Sequence, residues 1–156
     1  MSDAFLTKDE LKSVIYAYQI DQITEADDDI VYMAISAATD EVKSYLRPNN
    51  KREWLDGRLR YDVDAVFNAT GDNRNALILE YTKNIAVWYV CRLCNVDMIY
   101  EQLKDRYDRA LTWLKKVNKG EVSLDLPLVP PPVPPDDGGD SLLPFRMGSR
   151  CKFNHE

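Results

Sequence analysis

The sequence predicts an all-α fold: a four-helix bundle with a small β-strand or hairpin insert and an extended, proline-rich C-terminal arm. Three observations predict it. Apolar residues recur at spacings of three and four on both sides of residue 70, the period of helices with a buried face. Between those stretches, Arg58 to Ala65 alternates charged with apolar residues at the period of a half-buried strand. From Pro127 onward the run PLVPPPVPPDDGG favours polyproline II followed by a flexible joint. The chain therefore divides into a helical domain over 1–126, with an insert at 49–75, and an arm over 127–156.

The first helix starts at Leu6-Thr7-Lys8-Asp9-Glu10-Leu11. Thr7 is placed to accept from the Glu10 amide, Glu10 to reach back to Thr7, and Leu6 to pack on Leu11, which makes a capping box with its staple. This helix, TKDELKSVIYAY, is short and gives way to QIDQITEADDD, whose carboxylates suit the positive end of the next helix dipole. Along the second helix Val31, Ile35, Ala38, Val42 and Tyr45 form one stripe, and Pro48 ends it. Gly57 and Gly71 are turn signals on either side of the alternating segment.

The third helix, Ala76 to Cys94, is apolar nearly all round, with Leu77, Ile78, Tyr81, Ile85, Trp88, Tyr89 and Leu93 on more than one face. Such a helix is central to the bundle or lies in a subunit interface. The fourth, from about Asp97 to Asn118, aligns Ile99, Leu103, Tyr107, Ala110 or Leu111, Leu114 and Val117. Lys115, Lys116 and Lys119 suit the negative end of its dipole, and Gly120 closes it. Then Val122, Leu124, Leu126 and Leu128 alternate with polar residues and proline, giving an extended chain with one apolar edge and no evident partner strand of its own.

A globular chain of 156 residues buries about 70% of its unfolded surface, enough for a real core. The net charge of −6 argues against nucleic-acid phosphate as the main ligand. The opening MSDAFLTKDE is polar and acidic, unlike a signal peptide. The apolar stretch from Ile85 to Cys94 contains Arg92 and follows Glu80, Lys83 and Asn84, so it is too short and too charged to span a bilayer. Three cysteines, an odd number, fit a reducing compartment and a cytosolic protein before any assembly.

Catalytic groups are scarce. His155 is the one histidine, which leaves no imidazole for a nucleophilic triad inside the body, and neither GxxxxGK[ST] nor GxGxxG occurs. No enzyme activity, catalytic residue or cofactor is expected. Cys91 and Cys94 together with Cys151 and His155 make a set of four zinc ligands on paper, but two cysteines three apart in an apolar helix read first as core. Asp27, Asp28 and Asp29, with Glu25 before them, lack the glycine of a calcium loop and read as helix caps. Asp62 and Asp64 belong to the solvent face of the alternation. Pro127 and Pro130 satisfy PxxP, but Asp136 and Asp137 flank the proline run with no cation to orient it, which favours a spacer.

What remains is an interface set. Val122, Leu124, Leu126 and Leu128 form an edge able to add to another chain's strand, that strand being the one bearing Leu59, Tyr61 and Val63. Leu142, Leu143, Phe145 and Phe153 beyond the prolines are the anchors. Two other classes compete with an assembly protein: a small cytosolic helical adaptor whose proline-rich arm is a peptide ligand, and a zinc-binding module.

FLTKDEL at 5–11, an acidic turn before ISAATDEVKSYL at 35–46, and above all RYDRALTWLKKVNKGEVSL at 106–124 resemble a family of tailed-phage proteins. This is the head-tail connector family, the portal adaptor or head-completion proteins, in its Mu-like prophage group. The resemblance covers residues 5–126, whereas the insert at 49–75 is longer than the pattern and the proline-rich arm lies outside it. It implies a helical connector fold in the virion neck, without catalysis or cofactor. It also implies a homo-oligomeric ring of about twelve copies, made head-to-tail from one wedge-shaped subunit. Its partners would be the portal protein and a tail or neck protein, with no membrane. DNA would pass through the ring without specific binding, along an acidic lining that repels phosphate.

Overall fold

A computed structural model of the chain describes residues 4–47, 59–94 and 100–130. In order, the elements are a 3-10 helix at Lys8–Ser13, α1 (Ala17–Ile23), α2 (Asp28–Leu46), α3 (Val63–Asn68), a 3-10 turn at Gly71–Asn73, α4 (Ala76–Leu93) and α5 (Tyr100–Asn118). Among the described residues there is no strand; one isolated antiparallel bridge joins Tyr61 to Leu128. The fold is mostly helical, as the periodicity predicts, with three long helices and two short ones.

Helix α4 is the centre. Ile78, Thr82, Ile85, Ala86, Val87, Trp88, Val90 and Cys91 are buried around it, and it packs against α2, α5, α1 and the first 3-10 helix. Of the two placements open to an all-round apolar helix, the middle of its own bundle is the one seen. On α2 the buried residues are Val31, Ala34, Ile35, Ala38, Val42 and Leu46; on α5 they are Leu103, Ala110, Leu114 and Val117. Both sets repeat at the helical period. The rings of Trp88 and Tyr107 stack 5.3 Å apart and those of Tyr81 and Trp113 lie 4.6 Å apart. Positions fall along α4 as they rise along α5, so these two helices run antiparallel.

A shared carboxylate fastens the three long helices. Glu41 on α2 accepts from the Tyr89 hydroxyl of α4 at 3.0 Å and from the Tyr107 hydroxyl of α5 at 3.2 Å. Burial, then the neighbouring Glu41 charge, raises the pKa of both phenols, so they remain protonated donors. At the far end of α5, the Asn118 amide donates to the Tyr45 carbonyl of α2 at 2.9 Å.

The N-terminal segment is pinned by ions. The Glu10 carboxylate accepts from the Thr7 amide and hydroxyl, both at 3.0 Å, which realises the expected capping box. It also receives both terminal nitrogens of Arg74, at 2.6 and 3.0 Å, while Arg74 donates to the Phe5 and Gly71 carbonyls. Leu6 and Leu11 are fully enclosed beneath this knot. Lys8 meanwhile reaches Asp21 of α1 and Asp28 of α2, at 2.7 and 2.6 Å.

Two sequence expectations change. The alternation at 58–65 is not a strand through Ala65: α3 begins at Val63, capped by Asp62, whose side chain accepts from the Ala65 amide at 3.0 Å. Val63, Val66 and Phe67 sit at helical spacing and are buried, with Phe67 packed on Phe5 at 4.6 Å. In so short a piece the two periods share several positions, and burial of Phe67 decides for the helix. Residues 49–58 of the predicted insert lie outside the described residues. Helix α1 is the second change, since the segment after Tyr16 folds as a separate helix before Asp27 caps α2.

The Arg74 guanidinium bound to Glu10 holds that carboxyl down at about 2, against an ordinary value of 4.5. A group with a depressed folded pKa stabilises above its unfolded value, and that contribution disappears as pH falls through the folded one. Thermal stability should fall between about pH 5 and pH 2 by an amount on the order of 2 kcal/mol, after allowing for partial solvent screening. Glu10→Gln should lower stability at pH 7 and flatten this acid slope in a melting series. An unchanged slope in the variant would remove the Arg74 pair as its cause.

Candidate interaction surfaces

The arm begins where α5 stops. The Gly120 amide donates to the Val117 carbonyl and the Glu121 amide to that of Lys116, both at 2.9 Å. With Gly120 at φ +76°, this is a Schellman stop, and the left-handed residue is the predicted glycine. The chain then folds back onto its own body. Val122 and Leu124 are half-buried against the core and Leu126 is buried in it. The Leu124 amide donates to the Tyr61 hydroxyl at 2.9 Å. Asp62 N–H donates to the Pro127 carbonyl and Val129 N–H to the Arg60 carbonyl, both at 2.8 Å.

The Leu126 edge lies against the Tyr61 edge within one chain, whereas the sequence reading gave it to another chain's strand. Tyr61 and Val63 are buried in the same core as Leu126, whereas Leu59 and Leu128 are 45% and 49% exposed. From Pro127 to Pro130 every residue is exposed. Leu142, Leu143, Phe145 and Phe153 lie outside the described residues.

Cys91 behaves as a packing group, and Cys94 is partly buried. Cys91 is buried on α4, and burial pushes its thiol up to about 11; burial also raises Cys94. Among the described residues no three metal-ligating side chains converge, and Cys151 and His155 lie outside them. Asp27 acts as a cap, accepting from the Asp29 amide at 3.0 Å.

Surfaces that the sequence reading did not single out are aromatic. Tyr16 and Tyr18 are 68% and 64% exposed, and their rings stack with centroids 5.7 Å apart. Beside them a groove of about 410 Å³ runs between the first 3-10 helix, α1 and α5. Tyr32 and Met33 are also exposed on α2, where Tyr32 borders a second groove, of about 550 Å³, with Lys8, Asp40, Lys43 and Phe67. Two tyrosines two positions apart at the start of α1 were the available signal for Tyr16 and Tyr18. The helical stripes of the core masked it.

No described helix is long and apolar enough to cross a membrane. Compared with known proteins, the chain matches the family described as Bacteriophage Mu, Gp36, over residues 5–141. No curated protein and no solved structure matches it.

Two measurements check these placements. Leu126→Ala should speed amide exchange at Asp62 and Val129 roughly tenfold or more while leaving α4 amides unchanged, because it undocks the arm and not the core. Equal acceleration throughout would mean that the arm is an integral part of the core. Cys91→Ala with Cys94→Ala should cost on the order of 1 kcal/mol without loss of fold, and metal analysis of the parent protein should show no stoichiometric zinc.

Proposed function

The chain belongs to the Bacteriophage Mu, Gp36 family, and from that premise we propose that it is a structural virion protein, a head-tail connector without catalysis. In this reading it forms a homo-oligomeric ring between the portal and a tail or neck protein, and DNA passes through the ring unread. The observation that supports the reading is the start of the arm: after Leu126 the chain leaves the core, is exposed from Pro127 to Pro130, and in sequence continues into a proline run. A connector needs a rigid segment that repeats around an axis and a reach that ties one copy to the next component. The proline run suits that reach, because polyproline II is already extended and loses little entropy on ordering. Exposed tyrosines and Met33 on α1 and α2 add apolar surface of the kind that assembly buries.

Complementation of a phage lacking this gene tests the role. Full-length protein should restore tailed particles, whereas its absence should leave filled heads and separate tails. Removal of residues 131–156 should keep the melting temperature near that of the full chain, since Pro127 and Val129 still dock on Asp62 and Arg60, yet reduce the yield of joined particles. Normal joining in phage lacking the gene would reject the connector role. Normal joining by the truncated protein would make the distal arm dispensable.

A further inference from the structure

The groove beside Tyr16 differs from the rest of an acidic protein. Its lining includes Lys12, Ser13, Tyr16, Gln19, Gln102 and Arg106, so it carries two cations and, among the described residues, no carboxylate, in a chain of net charge −6. Arg106 is fixed there by donating to the Val14 carbonyl at 3.1 Å. The stacked faces of Tyr16 and Tyr18, inclined by 17°, form an exposed aromatic ridge along one side. Aromatic ridges next to a charged groove are the surfaces on which polyproline II helices seat. Proline rings lie across the aromatic faces, and charges flanking the prolines fix the direction.

One segment of this chain has the matching chemistry. Residues 130–137 read PPPVPPDD, a proline run followed by Asp136 and Asp137 with no cation among them. The Asp pair that makes the run a poor ligand for an acidic groove makes it complementary to Lys12 and Arg106. The arm leads there already exposed, since Leu126 is the last buried residue among those described and Pro127 to Pro130 face solvent. The groove touches α5 at Gln102, Leu103 and Arg106, whereas the arm is rooted beyond Asn118 at the other end of that helix. About 12 to 16 residues of helix separate the two, roughly 18 to 24 Å.

We infer that the proline-rich segment 130–137 of one copy docks in the Lys12–Tyr16–Arg106 groove of a second copy. Arm and groove are different surfaces of the chain, so the contact is heterologous. Every copy offers one arm and one groove; with each arm passing to the next copy, not exchanged within a pair, the copies join head-to-tail into a ring or an open chain. The inference gives the ring of the proposed connector a specific contact and rests on that reading for its biological setting. The contact itself is testable on the purified chain.

The experiment uses full-length protein in sedimentation velocity over a concentration series, with far-UV circular dichroism melts as the control for folding. Wild type should form species larger than a dimer. Tyr16→Ala/Tyr18→Ala, which impairs the groove, and Asp136→Lys/Asp137→Lys, which impairs the arm, should each weaken self-association roughly tenfold or more at unchanged melting temperature. Lys12→Glu should do the same and leave Arg106 and its Val14 contact intact. Mixing the groove variant with the arm variant should produce a one-to-one dimer and nothing larger, since one sound arm then meets one sound groove. Wild type that stays monomeric throughout overturns the inference, as does an arm seated in its own groove. Variants that associate like wild type, or a mixture that yields no dimer, also overturn it. A failure in any of these leaves the head-tail joining test untouched, so the contact and the connector role stand or fall separately.

Discussion

A helix that is apolar around nearly its whole circumference has no face to give to water, and the rest of this structure follows from that constraint on α4. One partner helix covers roughly a third of such a surface, so several elements have to close on it. Helices α2 and α5 take two sides, and α1 with the first 3-10 helix takes much of the remainder. The first 3-10 helix and α1 are too short to hold together alone in water, and their order derives from the apolar surface they cover.

Burial on this scale would leave the helices free to slide were it not for polar contacts of fixed geometry. Glu41 receives one hydroxyl from α4 and one from α5, so any change of register in one helix unmakes a bond to a half-buried carboxylate. Arg74 does the same for the N-terminal segment, holding Phe5, Glu10 and Gly71 from a single side chain. The buried hydroxyls of Thr82 and Thr24 turn back to the carbonyls of Ile78 and Ile20, four residues earlier, so neither is left unpaired in the core. Apolar area supplies the bulk of the stabilisation; these few polar groups select one arrangement.

Sequence period made the long elements legible. The stripes on α2 and α5, the all-round character of α4, the capping box at Thr7 and the Gly120 stop are each determined within one or two turns of chain, which is the range over which a sequence pattern operates. Helix α1 was hidden because Ala17, Ile20 and Ile23 span only two turns. Helix α3 was hidden because Leu59, Tyr61 and Val63 fit a strand until Val66 and Phe67 are given a common core. Docking of Leu126 beside Tyr61 had no local signal at all. It pairs positions that only the folded body brings together, and the same holds for the Glu41 cluster and for Lys12 beside Arg106.

The pairing of Tyr61 with Leu128 also sets an order of events during synthesis. Roughly 70 residues separate the two partners, several seconds of translation at typical rates of about 5–20 residues per second. Helices α4 and α5 are made in that interval and α1 and α2 precede it, so every long helix is synthesised before the segment that docks beside Tyr61. A nascent chain passes through a stage at which all its long helices are made, its arm is not, and the place of Leu126 in the core is vacant.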